Sequence, residues 1–133
     1  MKKTKIFIPI FNVDLHLLIG NKCNIAQYIQ DSHAKVMEIA ATCVDGECIY
    51  SLENDTEEFL YIALYDELDH TDSISLIHEV LHAAFKICKF RGIIPDEEIL
   101  CYLQGFILEK IFKCLNVELT VVTNHQPTQV DEP

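Results

Sequence analysis

The run His78-Glu79-Val80-Leu81-His82 carries a chemistry in its order alone, an H-E-x-x-H pattern. On an α-helix, residues four apart lie on one face a turn apart, so both imidazoles can reach a single metal ion. Neutral imidazole nitrogen suits Zn²⁺. Glu79 is one residue on, about 100° around the helix. From there it misses the ion but reaches a metal-bound water, for which it is the candidate general base.

The pattern needs a helix, and its surroundings supply one. From Ser73 to about Phe90, Ile74, Ile77, Leu81, Phe85 and Cys88 recur at spacings of three and four, an amphipathic helix with a predicted apolar stripe. Thr71, Asp72 or Ser73 can cap it and Arg91-Gly92 ends it.

Two histidines leave a catalytic zinc one protein ligand short. The ten residues after His82, AAFKICKFRG, hold no further histidine. The next helix opens at Pro95-Asp96-Glu97-Glu98 and carries Ile99, Leu100, Leu103, Phe106, Ile107, Ile111 and Leu115 as its apolar positions. If the two helices fold back antiparallel, Glu97 or Glu98 returns near His82. The alternative is a pair of acids serving only the helix dipole. Glu98 shares a face with Tyr102, Gly105 and Glu109, and Gly105 is expected to allow close helix approach.

Upstream, residues 5–19 are β-branched and aromatic and alternate from Phe11, a strand signal. Residues 21–30 read as a short helix. Residues 39–52 read as a hairpin about Asp45-Gly46, with Cys43 opposite Cys48 and free thiols favoured over a disulfide. Residues 59–65 (FLYIALY) read as a strand, either an edge that adds an extended peptide beside the site or an ordinary core strand. A last strand is expected at 117–122. The fold class is α+β, a small mainly antiparallel sheet packed on the two helices. One domain spans residues 1–122, followed by a flexible tail at 123–133.

Composition narrows the partners. The chain has 133 residues, 10 Lys+Arg against 21 Asp+Glu, and a net charge of −11. Polyanions are repelled by such a surface, so nucleic acid and anionic membrane are not expected partners. No stretch is long and apolar enough to span a bilayer, and no signal peptide is visible, which points to the cytoplasm. Cys88, Cys101 and Cys114 read as small apolar residues, and His16, His33, His70 and His125 as solvated or locally bonded.

H-E-x-x-H with a glutamate on the next helix resembles the gluzincin zinc metallopeptidases, and the compact layout over about residues 40–110 is similar to minimal domains of that kind in bacterial and phage proteins. Their third ligand often begins an E-x-x-A pattern; here Glu98-Ile99-Leu100-Cys101 matches with Cys for Ala. The resemblance implies His78, His82 and Glu98 as zinc ligands, Glu79 as the base, and a peptide or protein substrate. Tyr102, one turn from Glu98, is a candidate substrate contact; Tyr65 and His70 also precede or flank the motif. No second subdomain walls a cleft, so a non-catalytic zinc-binding or protein-interaction module on the same fold is the alternative.

Overall fold

The computed structural model describes residues 1–33, 46–50, 58–65 and 73–115. Four strands and three helices run in the order β1 (Lys2–Ile8), β2 (Val13–Ile19), α1 (Lys22–His33), β3 (Gly46–Tyr50), β4 (Leu60–Leu64), α2 (Ser73–Phe90) and α3 (Glu97–Leu115). The fold is α+β with a mostly antiparallel sheet of order β1-β2-β4-β3. β1 and β3 pair antiparallel to β2 and β4, and the central β2–β4 pair is parallel.

Residues 5–19 are two strands, not one. β1 and β2 form a hairpin whose turn closes with the Asn12 N–H donating to the Pro9 carbonyl at 3.2 Å. Asn12 takes φ 51°, a left-handed conformation that Asn tolerates better than most residues. Strand propensity runs unbroken across this turn, so only the Pro and Asn mark it.

Both faces of the sheet are covered. On one, Ile6, Ile8, Leu15, Leu17, Leu60, Ile62 and Leu64 pack with α2 and α3. On the other, Leu18, Ile49, Phe59, Tyr61 and Ala63 pack with Ile25 and Ile29 of α1. β4 is buried at every position, which is why its sequence lacks charge. It lies between β2 and β3, so the edge-strand reading of residues 59–65 is corrected: among the described residues the edge next to α2 is β3.

Capping sets the helix ends. The Asn21 side chain accepts from the Cys23 and Asn24 N–H groups to start α1, which runs three residues past the expected Gln30. Asp96 caps α3, its Oδ1 accepting from the Ile99 N–H at 2.9 Å. α2 has its expected bounds. It ends in a Schellman motif: the Ile93 N–H donates to Cys88 O at 2.9 Å, the Gly92 N–H to Lys89 O at 3.2 Å, and Gly92 takes φ 63°.

The buried stripe of α2 differs from expectation. Leu76, Val80, Ala83, Ala84, Ile87 and Cys88 are buried, whereas Ile74, Ile77, Leu81 and Phe85 are exposed. α2 is apolar round most of its circumference, and the sheet takes the stripe whose two alanines permit close approach. In α3, Leu103, Ile107 and Ile111 are buried as read. The expected close approach at Gly105 is absent among the described residues, where a Cβ there would meet nothing within 4 Å. Cys101 and Cys114 are exposed free thiols rather than packed ones.

The expected strand 117–122, the tail, the Thr71/Asp72 cap, His70, His125, and the Cys43 side of the 39–52 hairpin lie outside the described residues. No helix among the described residues is long and apolar enough to cross a membrane.

Candidate metal centre

Because α2 buries the stripe through Val80 and Ile87, residues half a turn away face outward, and His78 and His82 are among them. Their Nε2 atoms stand 3.1 Å apart, with the rings at 75°. Glu79 sits at the border between open and buried faces and is only 7 % exposed. Its Oε2 is 4.0 Å from His78 Nε2. The ligand atoms of His78, Glu79 and His82 all lie within 4.8 Å of one another, a group able to hold a metal ion.

The edge strand places the carboxylate. Gly46 opens β3 against α2, and a Cβ there would lie 3.4 Å from Glu79 Cγ. The Cys48 backbone hydrogen-bonds the Glu79 carboxylate. Burial raises the Glu79 pKa; the neighbouring imidazoles and the Cys48 bond work against this, and Glu47 works with it. A carboxylate made more basic in this way is a better proton acceptor.

Between β3 and α2 lies a cleft of about 330 Å³ lined by Gly46, Glu47, Cys48, Tyr50, Glu79, His82 and Lys86. The Tyr65 hydroxyl donates to Glu47 Oε1 at 3.1 Å, and burial followed by the Glu47 charge raises its pKa well above the usual tyrosine range. Tyr65 thus stays a neutral donor that orients Glu47. Burial pushes the Cys48 thiol up to about 12, so it lines the cleft as a neutral thiol. The Lys86 ammonium sits 4.0 Å from the centroid of the Tyr50 ring, spanning the cleft from helix to strand.

Glu98 and Glu97 are exposed in the first turn of α3. Neither belongs to the group gathered within 4.8 Å. Tyr102 is exposed one turn on and stacks on Phe106 at 6.0 Å, and it does not line the cleft. Glu47, Tyr50 and Lys86 were not singled out by their sequence, and Cys48 was read only as a hairpin partner of Cys43. Glu47, Cys48 and Tyr50 arrive from a strand some thirty residues upstream, and no local pattern ties that strand to the helix.

The donors fit a divalent ion of the zinc type. Two nitrogens about 2.0–2.1 Å from a common ion at a tetrahedral angle lie about 3.3 Å apart, close to the separation seen here. Two imidazoles beside a carboxylate are also a borderline donor set that suits zinc better than the oxygen-seeking cations.

Arg91 braces this helix from its far end. Its guanidinium donates to the carbonyls of Phe11 (2.6 Å) and Asn12 (2.7 Å) in the β1–β2 turn. It also meets both carboxylate oxygens of Glu58, at 2.7 and 2.8 Å. The other two described histidines lie elsewhere. His33 stacks on Phe59 at 4.2 Å and bonds the Tyr61 hydroxyl, a contact across the fold rather than the local one expected, and His16 is half-buried beside Tyr61.

Comparisons with protein-family models, with curated proteins and with solved structures find no match to this chain.

Proposed function

We propose that this protein is a zinc-dependent hydrolase of peptide bonds, of the gluzincin type, acting on a peptide or protein in the cytoplasm. The observation that carries the reading is the convergence of His78 Nε2, His82 Nε2 and the buried Glu79 carboxylate on one small volume, with His82 and Glu79 lining a cleft. His78 and His82 hold the ion, and Glu98, exposed at the start of α3, is the proposed third ligand.

A bound Zn²⁺ would supply Lewis acidity toward a carbonyl and lower the pKa of water at the site. Glu79 takes a proton from the attacking water and hands it to the leaving amine nitrogen. Its hydrogen bond to the Cys48 backbone holds the carboxylate in place for both transfers. β3, the edge strand beside the site among the described residues, is suited to receive an extended peptide by strand addition.

The test is zinc content and cleavage of an unfolded protein substrate, wild type against Glu79→Gln. Zinc retained with turnover lowered at least about 100-fold is expected. Full activity in the variant would remove the mechanism. A second reading, a metal-binding interaction module without turnover, is favoured by the exposed Ile74, Ile77, Leu81 and Phe85 beside the histidines. Zinc bound by a wild type that cleaves nothing would select it.

A further inference from the structure

The cleft continues past His82. A groove of about 500 Å³ runs along the C-terminal half of α2 to the α2–α3 connection, lined by His82, Phe85, Lys86, Lys89, Ile93 and Pro95. His82 and Lys86 belong to both spaces. Phe85, Ile93 and Pro95 give the lining apolar surface. Lys86 and Lys89 add two cations, and no carboxylate among the described residues lines it.

That charge runs against the rest of the molecule. The chain has 10 Lys+Arg against 21 Asp+Glu, yet two of those cations stand in the groove that leads from the candidate metal centre. Helical spacing puts them there together: Lys86 is four residues and Lys89 seven residues past His82, on the same face. Lys86 is held in position by the Tyr50 ring, which leaves its ammonium facing a space bounded by protein on two sides.

We infer that this groove selects the substrate, taking an extended peptide that carries an apolar side chain beside an acidic one, with the acid paired to Lys86 and Lys89. The inference rests on the hydrolase reading only for its position relative to the scissile bond. At 1.5 Å rise per residue, Lys86 and Lys89 lie about 6 and about 10 Å along the helix from His82. An extended peptide advances about 3.3 Å per residue, so the acid falls two or three residues from the bond that is cut. The net charge of −11 repels a peptide that is acidic throughout. Selection therefore applies to one local acid in an otherwise neutral or basic segment.

The experiment uses zinc-loaded Glu79→Gln protein and fluorescein-labelled peptides, acetylated and amidated at their ends. The peptides are identical except for Glu, Gln or Lys three residues from a central Leu-Leu. Anisotropy is expected to rank them Glu, then Gln, then Lys, with about a fivefold step for each lysine engaged. The preference should shrink between 50 and 500 mM salt, as for any partly exposed pair. Lys86→Glu with Lys89→Glu should invert the order. Lys89→Glu alone, away from the Tyr50 contact, should reduce it without disturbing the fold.

Equal affinity for the three peptides, or no binding of any, overturns the inference, as does a preference that survives both charge reversals. Equal affinity with cleavage of all three by the wild type would leave the hydrolase reading standing. The expected ranking without cleavage by the wild type would sink that reading and keep the groove as an acid-selective peptide site.

Discussion

Gly46 faces Glu79 across the boundary between sheet and helix: a Cβ on Gly46 would stand 3.4 Å from Glu79 Cγ, and 2.9 Å from the Ala63 carbonyl oxygen in β4. The space a side chain would need is filled by backbone that cannot yield and by the side chain proposed to move the proton. Gly46→Ala should therefore cost about 1–3 kcal/mol in urea unfolding. It should also lower turnover by more than the lost folded fraction, since β3 must shift against Glu79. Wild-type stability and turnover in the variant would show that the edge strand is free to move there.

His78 and His82 contribute little to the core, being exposed on the open face of α2. Alanine at either should leave stability of the metal-free protein within about 0.5 kcal/mol while abolishing stoichiometric zinc by elemental analysis. Glu98→Ala, prepared in parallel, should lower zinc affinity without unfolding α3, whose cap is Asp96. Zinc unchanged in Glu98→Ala but lost in Glu97→Ala would transfer the third position to Glu97.

Arg91 joins the end of α2 to the β1–β2 turn and to Glu58 through four hydrogen bonds. Its replacement by Ala should cost about 2 kcal/mol, because two carbonyls and a carboxylate lose a charged donor together. Lys reaches one acceptor at a time and should restore less than half of the loss. Thermal unfolding of the three proteins checks both statements.

His16 sits half-buried in β2 with its ring 5.0 Å from that of Tyr61. Burial holds its imidazole below the ordinary 6.5; Asp14 opposes this, and Lys5 and His33 add to it. The folded protein thus binds this proton less readily than the unfolded chain. The stability it confers is present above about pH 6.5 and is lost as pH falls through the lower folded value. The urea midpoint should drop on going from pH 7 to 5, with a shallower slope in His16→Gln. Identical slopes would assign the acid limb to other groups.

Much of the local structure is written in short-range signals. The bounds of α2, the glycine that ends it, and the Pro-Asp-Glu-Glu opening of α3 are legible because caps and helical period act within a few residues. The same period makes His78 and His82 neighbours before any fold is known. What periodicity leaves open is which way a helix turns. α2 carries two apolar stripes, and only the sheet, by accepting Ala83 and Ala84, decides that Ile74, Ile77, Leu81 and Phe85 face outward with the histidines. Strand order is likewise non-local: FLYIALY reads equally as edge or core until β2 and β3 are seen to flank it. The burial of Glu79 follows from that order, since it depends on β3 coming in from the far side of the chain. The sequence by itself determined that a pair of histidines at metal-ligand spacing and a neighbouring carboxylate share one helix. Tertiary packing decided that the carboxylate is buried against β3, that His82 opens on a cleft, and that Lys86 stands within it. Helical spacing is enforced by hydrogen bonds four residues apart, whereas the walls of a site come from segments that meet only when the core closes.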